Sequence, residues 1–401
     1  MTQEPTWRVV GGGNRLAGPF TVQQLRQMLH DGRLREGDCV IDGDDKPWAV
    51  SAAIRNSSPT LQPAVTIAAH LDGVTCLAYT PDGTRLATGS FDRCVRLWDV
   101  QTGHMLANLH PGFDDEAGPI GHGGTVSQVA FSADGRELAS SSWDGRVCVW
   151  DMATKKQRHL LEGHEGAVNC VAYLSDKGNW TSVLKDMWDS FLLTAGVDGT
   201  LRIWNTATGV GVRVASGYGA ISHFCLDPDG QHVWLAVTPR QNPPHYFLLA
   251  DLHKAEDSAK LIRQVGGIRH VAASVDEHYA AVSSADGRLR VWGIEKRLHH
   301  DPHHVWQAQQ GELLGVAFSP DAKLLASAGA DGTVKVWNPA NEDLLGVCRG
   351  HEGAVFDVVF SPDGHRLASC GKDGTVRIWD VTPLIGGDES EPPTTTTENS
   401  P

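Results

Sequence analysis

Apolar residues in this chain come in short runs of near-alternating character, not in the wide stripes of amphipathic helices. Between His351 and Asp380 three such runs follow one another: VFDVVF, RLASCG and TVRIWD. Ser361-Pro362-Asp363-Gly364 and Lys372-Asp373-Gly374 separate them. Val, Ile, Phe and Leu pack well on a pleated surface. Pro and Gly supply the fixed or positive φ that tight turns need. The pattern predicts three antiparallel strands in a meander. A unit this small cannot bury its own faces, so it needs neighbours.

The rest of the chain supplies copies. An Asp followed six residues later by Trp recurs at Asp92/Trp98, Asp144/Trp150, Asp198/Trp204, Asp286/Trp292, Asp331/Trp337 and Asp373/Trp379. The interval from Trp204 to Trp292 is about twice the others, so a degenerate copy lies within it. Residues 217–252 are that copy: GAISHFCLDPDG aligns with GAVFDVVFSPDG, and Ala250-Asp251 stands in the place of Trp-Asp. Seven units therefore span residues 66–382, at a period that marks a repeat architecture. With strand-only content and Trp-Asp endings, these units resemble the WD-repeat family of β-propellers. The resemblance implies a mainly β fold, seven four-stranded blades around a central channel. The last copy ends after three strands. The extra segment AVTIAA, residues 64–69, is expected to pair with it as a fourth and shut the ring, leaving few open edges.

Residues 1–54 differ. TWRVV reads as a strand and Gly11-Gly12-Gly13-Asn14 as a turn. Thr21 can cap a helix, with Gln24 completing a capping box. Leu25, Met28 and Leu29 form that helix's apolar face and Gly32 stops it, and CVID and WAV read as a short hairpin. Trp7, Gly18-Pro19-Phe20, Leu25, Met28, Gly32 and Trp48 together resemble the small α+β GYF-like domain in its short bacterial form. The resemblance implies recognition of proline-rich peptides through Trp7, Pro19, Phe20 and Trp48. The Gly-Tyr-Phe tripeptide itself is absent, and Asp31 stands where the family has Trp. Read from the residues alone, Trp7, Phe20 and Trp48 are this mini-domain's core. Residues 55–65, polar with two prolines, read as an extended linker, and residues 383–401 as a disordered tail.

Four units carry a complete polar set: His70/Thr88/Asp92/Trp98, His122/Ser140/Asp144/Trp150, His164/Thr194/Asp198/Trp204 and His351/Ser369/Asp373/Trp379. His, hydroxyl and Asp suggest a catalytic triad. An active site is needed once, however, and this set recurs. The family resemblance implies instead a structural hydrogen-bond tetrad that ties strand to loop. Unit five has Gln264 and Val282 in the His and hydroxyl places, unit six has Gln309 in the His place, and unit four keeps none of the set, so unit four is expected to be the least rigid.

Composition narrows the function. The net charge of −14 disfavours nucleic acid as a partner. No run is long enough to span a bilayer, and the start of the chain has no signal-like pattern. None of the eight cysteines forms a C-x-x-C pair, which points to free thiols in the cytoplasm. His299-His300-Asp301-Pro302-His303-His304 reads as a solvated loop rather than a metal site. No nucleophile–base pair or phosphate-cradling loop stands outside the repeats, so no cofactor and no catalysis are expected. The favoured reading is a non-enzymatic scaffold for other proteins or peptides, proline-rich ones among them, acting as a monomer or as a subunit of a larger complex. The alternative is an enzyme or regulatory subunit with a hydrolase-like site in the propeller channel. By the resemblance, Phe91, Trp143, Asn169, Arg269, Phe356 and Lys372 lie at the channel-mouth face. Phe356, Phe91 and Trp143 fall on units seven, one and two, which become neighbours once the ring closes. Residues 175–190 enlarge a loop of unit three and add Trp180 and Trp188 as a second candidate contact.

Overall fold

The Asp-Gly punctuation of the repeats becomes tight turns between antiparallel strands. Gly364 and Gly374 adopt φ of 74° and 71°, a region costly for any residue with a Cβ. The computed structural model describes residues 7–10, 16–21, 24–25, 28, 33–34, 38–41, 47–49, 58–109, 112–114, 118–174, 191–228, 231–238, 245–251, 260–263, 267–294, 302 and 304–385.

The chain is mainly β and is built of repeated four-stranded sheets. In unit one, Val74–Tyr79, Arg85–Ser90, Val95–Asp99 and Met105–Leu109 lie side by side in chain order, each pair antiparallel. The same order recurs in the sheets that begin with Val126–Phe131, Val168–Tyr173, Ala220–Leu226 and Ile268–Ala273. The sheet that begins with Leu313–Phe318 gains a fifth strand, Thr60–Leu61, parallel to Leu344–Arg349. The sheet that begins with Val355–Phe360 takes its fourth strand from the other end of the repeats. Pro63–Ala68 runs antiparallel to Thr375–Asp380, with Val65 opposite Ile378 and Ile67 opposite Val376.

Residues 55–65, read from sequence as a tether, are therefore bonded to the sheets from Ser58 onward. Ser58 Oγ donates to the Leu344 carbonyl at 2.7 Å, and Val347 N–H donates to the Pro59 carbonyl at 2.9 Å. The cause is the open edge of Leu344–Arg349, whose backbone groups need partners. Such pairing leaves no mark in side-chain composition. The tail differs in the same way. Thr382–Ile385 is a short helix, and Leu384 and Ile385 pack on the core of the last two sheets. Residues 386–401 lie outside the described residues.

The core lies between sheets, not within them. Cys76, Ala87 and Leu97 of unit one pack with Val126, Leu138 and Trp150 of unit two. Val376 and Ile378 of unit seven pack with Leu77, Leu86 and Trp98 of unit one. The first strands of successive sheets lie side by side, and Val355–Phe360 lies against Val74–Tyr79. Unit four, which lost the polar set, is filled by aromatics instead. Trp234 stacks on Phe247 at 5.0 Å, Phe247 meets Trp292 at 5.1 Å, and Trp234 Nε1 donates to Asp227 at 2.9 Å.

Near the N-terminus, Leu16–Phe20, Trp7–Val10, Cys39–Ile41 and Pro47–Ala49 form a small sheet in that order. Thr21 N–H donates to Gln24 Oε1 at 2.8 Å and Gln24 N–H donates to Thr21 Oγ1 at 3.3 Å, the reciprocal pattern of a capping box. Trp7, Val9, Leu25, Leu34 and Val40 form the core, with Phe20 and Met28 against it. Trp7 is thus a core residue, not an exposed peptide contact, whereas Pro19 is exposed. The Trp48 side chain, Leu29 and Gly32 fall outside the described residues. No described helix is long and apolar enough to cross a membrane.

Candidate functional site

Three of the four polar sets form a complete relay with one direction, and the fourth lacks its last hydrogen bond. In unit one, Trp98 Nε1–H donates to Thr88 Oγ1 at 3.0 Å, and the Thr88 hydroxyl donates to His70 Nε2 at 2.7 Å. His70 Nδ1–H then donates to the Asp92 carboxylate at 2.9 Å. In unit seven the same links, from Trp379 to Ser369 to His351 to Asp373, measure 2.9, 2.8 and 3.0 Å. Unit three repeats them through Trp204, Thr194, His164 and Asp198 at 2.8, 2.8 and 2.9 Å. In unit two, Trp150 and His122 hold Ser140 at 2.9 and 2.8 Å, while His122 Nδ1 lies 3.4 Å from Asp144.

Charge follows from burial. Desolvation pushes His70, His164 and His351 below the usual imidazole range, so they are neutral at pH 7, as the relay requires. Burial alone would raise Asp92. The His70 hydrogen bond and the Cys94 amide outweigh it and hold the carboxyl well below its usual range. Thr88, Ser140, Thr194 and Ser369 are fully buried, and each hydroxyl is bonded on both sides. No substrate carbonyl can reach them. These are clasps joining a loop to the middle of its sheet. In unit six, Gln309 replaces the His and its side-chain nitrogen donates to the Ser327 and Thr333 carbonyls at 3.1 and 2.9 Å.

The aromatic face has a different character. Phe91 lies edge-on to Trp143 with centroids 6.0 Å apart, and edge-on to Phe356 at 5.8 Å. Three neighbouring sheets thus present one continuous arc. Gly73 lies beneath it: a Cβ there would stand 3.2 Å from both Phe rings and 3.3 Å from the Lys372 Cα. Trp143 is 54% exposed, and Leu71, two residues before Gly73, is 96% exposed.

The other expected face residues divide. Asn169 Nδ2 donates to the Ile221 carbonyl of the next sheet at 2.8 Å. Thr75 and Ser127 likewise reach the Val126 and Val168 carbonyls. Asn169 is therefore an inter-sheet tie. Arg269 pairs with Glu312 at 2.9 Å in the open. His304 pairs with Glu342 at 2.6 Å, and no group able to hold a metal ion occurs among the described residues. Residues 175–190 lie outside them.

Sequence reading missed a polar layer on the first strands of the sheets. Gln128, His223, His270 and Asp357 hold equivalent places on four first strands, each just past a register shift. Gln128 Oε1 accepts from Val171 N–H at 2.8 Å, and its side-chain nitrogen lies 3.4 Å from His223 Nε2. The His223 and His270 rings lie 3.5 Å apart. His270 Nε2 lies 3.9 Å from Asp357, which accepts from Leu77 N–H at 3.0 Å. Burial pushes the Asp357 carboxyl up to about 7 and His270 down to about 4. The one available signal was polar residues at a strand position otherwise held by Cys76, Cys170 and Gly315.

Comparison with known proteins bears on this arrangement. A family model described as WD domain, G-beta repeat matches residues 61–99, 118–151, 155–205, 260–293, 300–338 and 342–380, and does not match the degenerate fourth unit. The chain is 26% identical over 298 residues to nuclear distribution protein nudF of Aspergillus niger, covering 68% of this chain and 60% of that protein. It is 24% identical over 307 residues to autophagy-related protein 16 of Arabidopsis thaliana, covering 68% and 57%. Over 141 residues it is 33% identical to the guanine nucleotide-binding protein subunit beta of Oryza sativa subsp. indica, covering 34% and 33%. The chain thus spans less than two thirds of the length of these relatives.

Proposed function

Because the chain belongs to the WD-repeat family, we propose that its repeat region is a seven-bladed β-propeller serving as a non-enzymatic docking platform for other proteins. The observation that carries this reading is the arc of Phe91, Trp143 and Phe356 across three adjacent sheets, with Lys372 beside it. Rigid aromatic anchors beside a cation fit a partner segment that offers an apolar side chain and a carboxylate. A relative named as a subunit beta carries the name of a component of an assembly. Residues 1–54 would then be a second, GYF-like recognition module on the same chain. Even weak contacts at two modules gain through effective concentration. The free cysteines, most of them buried, support a cytoplasmic setting.

The test is affinity purification from native lysate with the full chain and with a Phe91→Ala/Trp143→Ala/Phe356→Ala variant. Specific partners should be lost from the variant while its melting temperature stays close to the parent's. Retention of every partner would remove the arc from the function. A collapse in melting would reassign the three rings to the fold. A chain that starts at residue 55, run in parallel, separates the partners of the first module from those of the propeller.

A further inference from the structure

Four residues after each repeat Asp stands Arg96, Cys148, Arg202, Arg290, Lys335 or Arg377. Most of these cations have a visible use. Arg96 donates to the Ala69 carbonyl at 2.6 Å, Lys335 to the Ala308 carbonyl, and Arg290 pairs with Asp286 at 2.6 Å. Across the strands, the residues facing this position are Asn108, Leu160, Val305, Val347 and Thr66. Unit three is the exception, because Arg202 faces Arg213 directly.

Like charges in register on neighbouring strands repel. Among the described residues, neither guanidinium makes a hydrogen bond or an ion pair; Arg202 Nε is buried with no partner, as is Arg377 Nε, but Arg377 has Asp373 at 3.9 Å. Both line one cavity of about 400 Å³. The cavity lies where unit four replaces the usual His-containing loop with Ser216-Gly217-Tyr218-Gly219, and these residues also line it. Gly163 gives the Arg202 guanidinium its room, since a Cβ there would stand 2.9 Å from Nη1. Two carboxylates share the lining. Asp198 is already satisfied by His164 Nδ1, the Glu165 and Thr200 amides and the Thr200 hydroxyl. Glu165 and Arg213 are both exposed, so their charges are solvated, whereas Arg202 is half-buried.

We propose that Arg202 and Arg213 form an oxyanion site that takes a group of the phosphate class, free or carried on a peptide. A dianion matches two unpaired guanidiniums, each able to present a planar fork of donors, whereas a single carboxylate leaves one uncompensated. The site faces a different part of the ring from the aromatic arc and stands independently of it.

The experiment titrates the full chain with inorganic phosphate, against sodium chloride at matched ionic strength, and follows calorimetric binding and melting temperature. The parent should bind phosphate and gain melting temperature. Arg213→Gln should bind about tenfold more weakly. Without phosphate, the same variant should melt no lower than the parent, because the repulsive pair is gone. A phosphoserine peptide in the same titration separates the sources: tighter binding than inorganic phosphate assigns the group to a protein ligand, and equal binding assigns it to the free ion. Melting that follows ionic strength alone overturns the proposal. So does phosphate affinity that changes by less than about twofold in Arg213→Gln.

Discussion

Trp379 and Trp292 are both buried almost completely, but only one has a use for its indole N–H. Trp379 Nε1 donates to Ser369 at 2.9 Å, at the head of a relay that ends on Asp373. Trp292 sits in unit five, where Val282 replaces the hydroxyl, and its Nε1 is buried without a partner. Replacing each by Phe removes the same atoms and therefore a similar packing contribution. Trp379→Phe additionally breaks a buried hydrogen bond, whereas Trp292→Phe removes an unsatisfied donor. The first should be more destabilising by about 1–3 kcal/mol, measured as the difference between the two variants in denaturant unfolding. Equal costs would deny the relay any energetic role. The relays were legible in the sequence because their four positions recur at fixed offsets. The first-strand layer of Gln128, His223, His270 and Asp357 was not. Its members meet between sheets far apart in sequence, and no local spacing records that meeting.

At the scale of elements, Pro63–Ala68 does the most for its size. It covers the edge of Thr375–Asp380, and Ile67 is buried against units seven and one. Deleting residues 58–68 should lower the melting temperature sharply and promote association, because an uncovered edge strand invites pairing with another chain. Scanning calorimetry and light scattering give the readout. A deletion variant that melts like the parent would mean the edge needs no cover. The strand's apolar alternation announced it in the sequence. The docking of Ser58, Pro59 and Thr60–Leu61 is carried by backbone groups, so their polar side chains read as a free tether. Trp234 and Phe247 show a similar limit: the fourth unit looked empty when scored for the clasp, yet its core is filled by another chemistry.

At the scale of the molecule, acid and alkali act on different groups. His70, His164 and His351 have folded values below the unfolded 6.5, so their contribution is complete above 6.5 and declines as pH falls through the folded values. Asp357 has the opposite sign. Its folded value of about 7 lies above the unfolded 3.8, so its contribution is complete below 3.8 and is lost as pH rises through about 7. Asp357→Asn keeps the shape and removes the titration. The melting temperature of Asp357→Asn minus that of the parent should therefore rise between pH 5 and 7, by up to about 1.4 kcal/mol per pH unit in stability, and level off above. A difference independent of pH would show that Asp357 does not titrate in this range.

The pairing of Val65 with Ile378 also sets a clock. The two halves of the last sheet leave the ribosome some 300 residues apart, which at ordinary rates of synthesis is roughly 15 to 60 seconds. For that interval the early strand has its backbone groups made but no mate to receive them. Any chain that ends early never provides one. An interrupted product therefore carries a raw edge at each end, and only a finished chain can hide both. Completion of synthesis is thus written into the surface of the protein.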